Sequence, residues 1–195
     1  NIQELIKIIK DTIIGTNRIW WFRGHASENW KLLPSVWRMP TTPEGVPPKK
    51  KESYMTNEFL FKARTRIETY PSDSDLAGWI SLMQHHELPT RLLDWSNSPL
   101  IALYFAVHDY HRHILKRSET DACIWLICPG ELNKSFGHEG LIYPLNSKTA
   151  LKIINPAFKI DDDDNGILAA SAIETHKRMI MQQSAFTIHS LHTPL

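Results

Sequence analysis

The sequence lacks any long apolar run: none of its 195 residues falls in a stretch approaching the roughly 20 apolar positions a membrane-spanning helix needs. It also lacks a secretory signal pattern. Charge excess is missing as well, since 22 Lys and Arg against 21 Asp and Glu leave a net charge of +1. Bulk attraction to nucleic acid or an anionic membrane is thereby excluded, although a local basic groove is not, because net charge hides patches. Cysteine is scarce. Cys123 and Cys128 lie five residues apart in the strand-like "DACIWLICP", hence on opposite faces, which excludes joint metal ligation from that strand. Two buried, reduced thiols in a cytoplasmic protein are the expectation. Also absent are G-x-S-x-G, a P-loop, H-E-x-x-H and the glycine loop of a Rossmann unit, so the common nucleophile-elbow, phosphate-cradle and zinc-protease signatures do not apply. No internal repeat is evident. The chain opens at Asn1 rather than methionine, which raises the expectation of a piece of a longer protein.

What is present is an ordinary globular balance, 42% hydrophobic and 22% charged, long enough for one domain spanning 1–195. Ile2, Leu5, Ile6, Ile9 and Ile13 recur at helical spacing and predict an amphipathic helix over 2–14. "RIWWFRG" reads as a strand with Ile19, Trp21 and Arg23 on one face and Trp20, Phe22 and Gly24 on the other. "KLLPSVWR" reads as extended, and a Pro- and Lys-rich mobile loop is expected over about 39–52. Helices are predicted over 53–69 and 74–86, the second capped by Asp73 or Ser74. "TRLLDW" reads as a strand, followed by a helix with Ser98 as N-cap and Pro99 in its first turn. "DACIWLICP" is a further strand, 131–165 read as irregular with short strands and "DDDDNG" as a turn, 168–182 as helical, and "AFTIHS" as a last strand. The order predicts an α+β fold with a mixed sheet core and flanking helices.

The chemistry-bearing residues concentrate in "WWFRGH" and in "QHHELPTRLLDWSNSPLIALYFA", residues 84–106. A guanidinium cannot shed its proton to suit an apolar strand, so Arg23 requires a carboxylate, a carbonyl or an anionic ligand. On the second strand Thr90, Leu92 and Asp94 share one face, and Arg91, Leu93 and Trp95 the other. Asp94 paired with Arg23 or Arg91 is a structural reading; a ligand held by Arg23 is the alternative. His85 and His86 are adjacent at a helix end, and His108, His111 and His113 lie on a helix face, so no metal site is expected. Trp30 and Trp95 lie beside the polar clusters, where packing is their default role and stacking on a ring the alternative.

"WFRGHASENWKLLPSVWR", "QHHELPTRLLDWSNSPLIALYFA" and "MQQSAFTIHS" occur in the order found in the FRG domain family, which this chain resembles over residues 20–190. Glu87 and Ser184 stand where glycine is expected. The same blocks resemble, more loosely, the three-motif plan of ADP-ribosyltransferases: an Arg or His on the first core strand, a Ser or Thr after the second, and a Glu or Gln before a late strand. That resemblance implies an ADP-ribosyltransferase-like fold with NAD as substrate, no metal, and Arg23, Asp94 and Gln183 as catalytic candidates. Arg23, Gly24, Trp30, Arg91, Trp95 and Ser96 are then the candidates for holding NAD. An amide at Gln183 can orient a hydroxyl but cannot act as general base, so Asp94 or Glu87 would supply the carboxylate. FRG-type domains resemble parts of bacterial toxin or phage-defence systems, implying a protein or RNA acceptor and an antitoxin or additional domain as partner. The competing expectations are a non-catalytic nucleotide- or nucleic-acid-binding module, and a purely structural core in which Arg23 is locked to Asp94.

Overall fold

The isoleucine spacing near the start does form an amphipathic helix, α1 (Ile2–Ile13), whose Leu5, Ile9 and Ile13 pack with Phe22 and Ala102. The computed structural model describes residues 2–40, 45–111, 120–159, 166–172, 183–190 and 193–195. Strand β1 (Trp21–His25) comes next, then a 3-10 turn at Ser35–Arg38 where an extended piece was expected. Helix α2 (Pro48–Arg66) begins inside the loop expected over 39–52, so that loop is shorter than the sequence implies. Pro48 suits a first helical turn, because its missing N–H is one that the helix leaves unpaired anyway. Helix α3 (Leu76–His85) is capped by Asp75, whose carboxylate accepts from the Gly78 N–H at 2.9 Å; the sequence pointed to Asp73 or Ser74.

Strand β2 (Leu92–Ser96) leads into α4 (Pro99–His111), with β3 (Cys123–Ile127) after it. The stretch read as irregular contains α5 (Pro129–Ser135), a two-residue β4 (Tyr143–Pro144) and α6 (Lys148–Ile154). Each of these helices is only seven residues long, too short to display the periodicity that identifies a helix in sequence. Residues 168–171, expected to be helical, lie instead in strand β5 (Ile167–Ser171), and β6 (Ser184–His189) follows. The run "ILAAS" is buried along four of its five positions, and a short continuous apolar run does not distinguish strand from helix. The remainder of that expected helix, 173–182, the acidic turn at 161–164 and His113 lie outside the described residues.

Among the described residues six strands hydrogen-bond in the order β3-β1-β2-β6-β5-β4. β1 is antiparallel to β2 and to β3, whereas β4 and β5 are parallel, so the sheet is mixed, as expected for the coarse fold class. The chain divides into two compact units interleaved in sequence: 1–31 with 94–142 and 176–185, and 32–93 with 143–175 and 186–195. In the first, α1 and α4 cover β1. In the second, Ala63, Trp79 and Leu82 anchor a core joined by Phe59, Leu60, Ile67 and Phe158. No helix is long and apolar enough to cross a membrane among the described residues.

The end of α3 explains one glycine expectation. The Leu88 N–H reaches the Met83 carbonyl at 3.1 Å and the Glu87 N–H the Gln84 carbonyl at 3.0 Å, the paired bonds of a Schellman ending. Glu87 occupies the left-handed position with φ 61°, where glycine carries no steric penalty. Glu87→Gly is therefore expected to be neutral or to raise Tm by a few degrees, whereas Glu87→Val should lower it by about 1–2 kcal/mol in stability. Thermal melts of the two variants decide this; a Glu87→Gly protein clearly less stable than wild type would mean that the carboxylate makes a contact outweighing the strain.

Candidate functional site

Arg23 sits at the middle of β1 with Trp125 of β3 directly across from it and His25 two residues on, on the same face. Its Nε donates to His25 Nε2 at 2.9 Å and its Nη1 to the Asp94 carbonyl oxygen at 2.5 Å. The Asp94 carboxylate lies farther off, 4.0 Å from Nη1, with half of its side chain exposed. A long, solvated ion pair contributes little. The guanidinium is thus oriented by a backbone carbonyl and an imidazole more than by charge, and it keeps 21% of its side-chain surface open.

His25 is buried, and Trp125 Nε1 points at its Nδ1 from 3.3 Å. A neutral imidazole has a single acceptor nitrogen, so His25 accepts one of the two facing donors at a time. Protonation would remove that acceptor and place a second cation beside the guanidinium. The rings of Trp30 and Trp125 lie 6.0 and 6.4 Å from the His25 ring, and both indoles are more than a third exposed. Cys123, cross-strand from His25, is a free half-buried thiol whose pKa is pushed up by burial first and by the Glu28 carboxylate second, which keeps it protonated at neutral pH.

Gly24 faces away from this cluster, onto α4. A Cβ there would overlap the Ala102 carbonyl oxygen and stand 2.6 Å from the Ala106 nitrogen, both backbone atoms that cannot step aside cheaply. The glycine was expected to admit a ligand; its geometry instead admits a helix. Gly24→Ala should therefore cost about 3 kcal/mol, seen as a lower denaturation midpoint. An unchanged midpoint would show that β1 and α4 can separate freely.

At the far end of β2, the Ser96 hydroxyl accepts from the Ser98 N–H at 3.1 Å, supporting the turn into α4. Asn97 donates to the Gln183 carbonyl from both its backbone nitrogen, at 3.1 Å, and its side-chain amide, at 3.3 Å. Gln183 itself is exposed and left-handed, with φ 47°. That conformation costs free energy for a non-glycine residue and persists because the surroundings hold it. The chain of contacts runs Arg23 to Asp94, then three residues along to Asn97, then to Gln183. Arg23 and Asp94 are thus in contact, whereas Gln183 is joined through its backbone to Asn97, about 10 Å farther along the chain from Asp94.

Trp95 is buried on β2, the strand that pairs with β1 beside Arg23. Arg91, expected at the cofactor, has no exposed surface: Glu52 accepts from its backbone N–H at 3.1 Å, from Nε at 3.1 Å and from Nη2 at 2.6 Å, while Nη1 donates to the Ile153 carbonyl at 2.6 Å. The Trp37 ring lies 5.9 Å from the guanidinium carbon. Here the fork geometry of arginine serves the protein's own interior. Among the described residues no three His, Cys, Asp or Glu side chains gather as a metal-holding group.

Sequence reasoning missed His25, Trp125 and Asn97. Only His25 left a signal: in a strand, positions i and i+2 share a face, so "RGH" already places it beside Arg23.

A mixed α/β domain with an anchored arginine on an inner strand, flanked by open indoles, defines the class. Residues 18–114 match the model of the FRG domain, and the chain belongs to the FRG domain family. No curated protein and no solved structure matches the chain.

Proposed function

We propose that the cluster around Arg23 binds NAD and that the domain transfers its ADP-ribose moiety to a protein or RNA acceptor, in a bacterial toxin or phage-defence setting. The observation carrying this reading is the oriented, partly open Arg23 fork set beside two exposed indoles, an anion holder next to stacking faces. In such a reaction the bond between nicotinamide and ribose breaks, the acceptor's nucleophilic atom bonds to the ribose carbon, and the acceptor's proton is released. Positive charge grows on the ribose as the bond breaks. Arg23 would hold phosphate or ribose oxygens, Trp30 or Trp125 would stack on a ring, and Gln183 would orient a ribose hydroxyl. Asp94, half-exposed and 4.0 Å from the Arg23 guanidinium, would take the acceptor's proton. The absence of a carboxylate at position 183 favours, as second reading, a module that binds the nucleotide without turnover.

Saturable stabilisation tests the binding step, since a ligand that binds only the native state raises Tm. NAD is expected to raise Tm strongly, ATP and free phosphate far less; equal shifts with all three would leave only a generic anion site. Gln183→Ala should then lower nicotinamide release roughly a hundredfold with NAD affinity kept. Gln183→Glu should retain or exceed wild-type release, because a carboxylate stabilises the same developing cation. Unchanged release in both variants would reduce Gln183 to a structural amide.

A further inference from the structure

Away from Arg23, helix α2 and the end of α3 enclose a groove of about 490 Å³. Its floor is a row repeating every four residues along α2, Met55, Phe59 and Ala63, continued by Ile67 and closed by Leu88. The next row along the same helix is charged: Glu58, Lys62 and Arg66. Lys62 is committed to Glu58 at 3.0 Å, while Arg66 has no hydrogen-bond or ion-pair partner among the described residues. Eight residues separate Glu58 from Arg66, roughly 12 Å along the helix. The groove is therefore apolar along its length, neutralised at one end and cationic at the other.

We propose that this groove binds a small amphipathic anion, an alkyl or aryl carboxylate whose apolar body lies on Met55 and Phe59 and whose head pairs with Arg66. Its volume falls within the range of small-molecule sites, and such sites combine an apolar lining with few orienting polar groups. Guanidinium matches a carboxylate with two parallel donors, which fixes the ligand's direction. The His86 ring, 5.8 Å from that of Phe59, borders the same space. The proposal is independent of NAD chemistry and stands or falls without it.

The probe is dodecanoate below its micellar concentration, titrated by calorimetry into the intact chain, with dodecylammonium and dodecanol as matched chains. Saturable binding near one equivalent is expected for dodecanoate, with Arg66→Glu weakening it at least tenfold and Lys7→Glu, the same charge change on α1, leaving it unaltered. Met55→Asp should weaken dodecanoate and dodecanol alike. Circular dichroism on each variant separates lost binding from lost fold. Equal affinity for the cationic chain, indifference to Arg66→Glu, or no saturable binding would overturn the proposal. So would a concentration-dependent dimer dissolved by Met55→Asp, which would assign the groove to a second copy.

Discussion

Glu52→Ala lowers stability by about 3–5 kcal/mol, the loss expected when one partner of a fully buried ion pair is removed. The reason is specific to this geometry. The Glu52 carboxylate accepts three N–H groups from Arg91, backbone and side chain, and neither residue has exposed surface. Without it a guanidinium that cannot deprotonate is left in the interior without its carboxylate. For a chain of this length each kcal/mol moves Tm by roughly 2–4 °C, so the transition should fall by roughly 10 °C or more. The paired variant Glu52→Leu/Arg91→Met discriminates mechanism. It removes both charges but leaves the Ile153 carbonyl without its donor and the backbone N–H of residue 91 without its acceptor, so it should recover part of the loss. A double variant as unstable as Glu52→Ala would show that the pair is held for its shape and not for charge balance.

Arg23→Lys is expected to keep the fold and lose function. The substitution retains a positive charge, and little stability rests on the 4.0 Å contact with Asp94. What it removes is the planar fork that spans His25 and the Asp94 carbonyl in fixed directions. An ammonium on a flexible stem cannot satisfy both and still present a directed pair of donors outward. Nicotinamide release should fall at least a hundredfold, and the NAD-induced Tm shift should shrink with it, while the melting midpoint of the free protein stays within about 1 kcal/mol of wild type. Wild-type behaviour of Arg23→Lys would return Arg23 to a structural role.

Strand alternation made part of this legible in advance. "WFRG" on its own places Phe22 and Gly24 on one face and Arg23 on the other, and the structure puts the first two against α1 and α4 and the third toward Asp94. The isoleucine row of α1 and the proline opening α4 were equally readable, because local periodicity and caps determine them. The Arg91–Glu52 pair was not. Its partners are 39 residues apart, and Glu52 follows three lysines in a stretch that reads as solvated loop. No periodic signal connects such residues; only tertiary packing does. For the same reason Arg91 looked as available for a ligand as Arg23. Trp125 and Asn97 were hidden by register, which depends on strand pairing and not on the spacing within either strand. The short helices α5 and α6 and the strand β5 failed through length, since five to seven residues carry too little pattern to separate the two periods.

The most direct test is a time course of free nicotinamide from NAD with the purified chain, alone and with cell lysate as a source of acceptor. The proposed chemistry predicts release that grows with time, rises when lysate is added and disappears in Arg23→Lys. No release in either condition, from a protein whose Tm NAD nonetheless raises, would contradict transfer and leave a nucleotide-binding module.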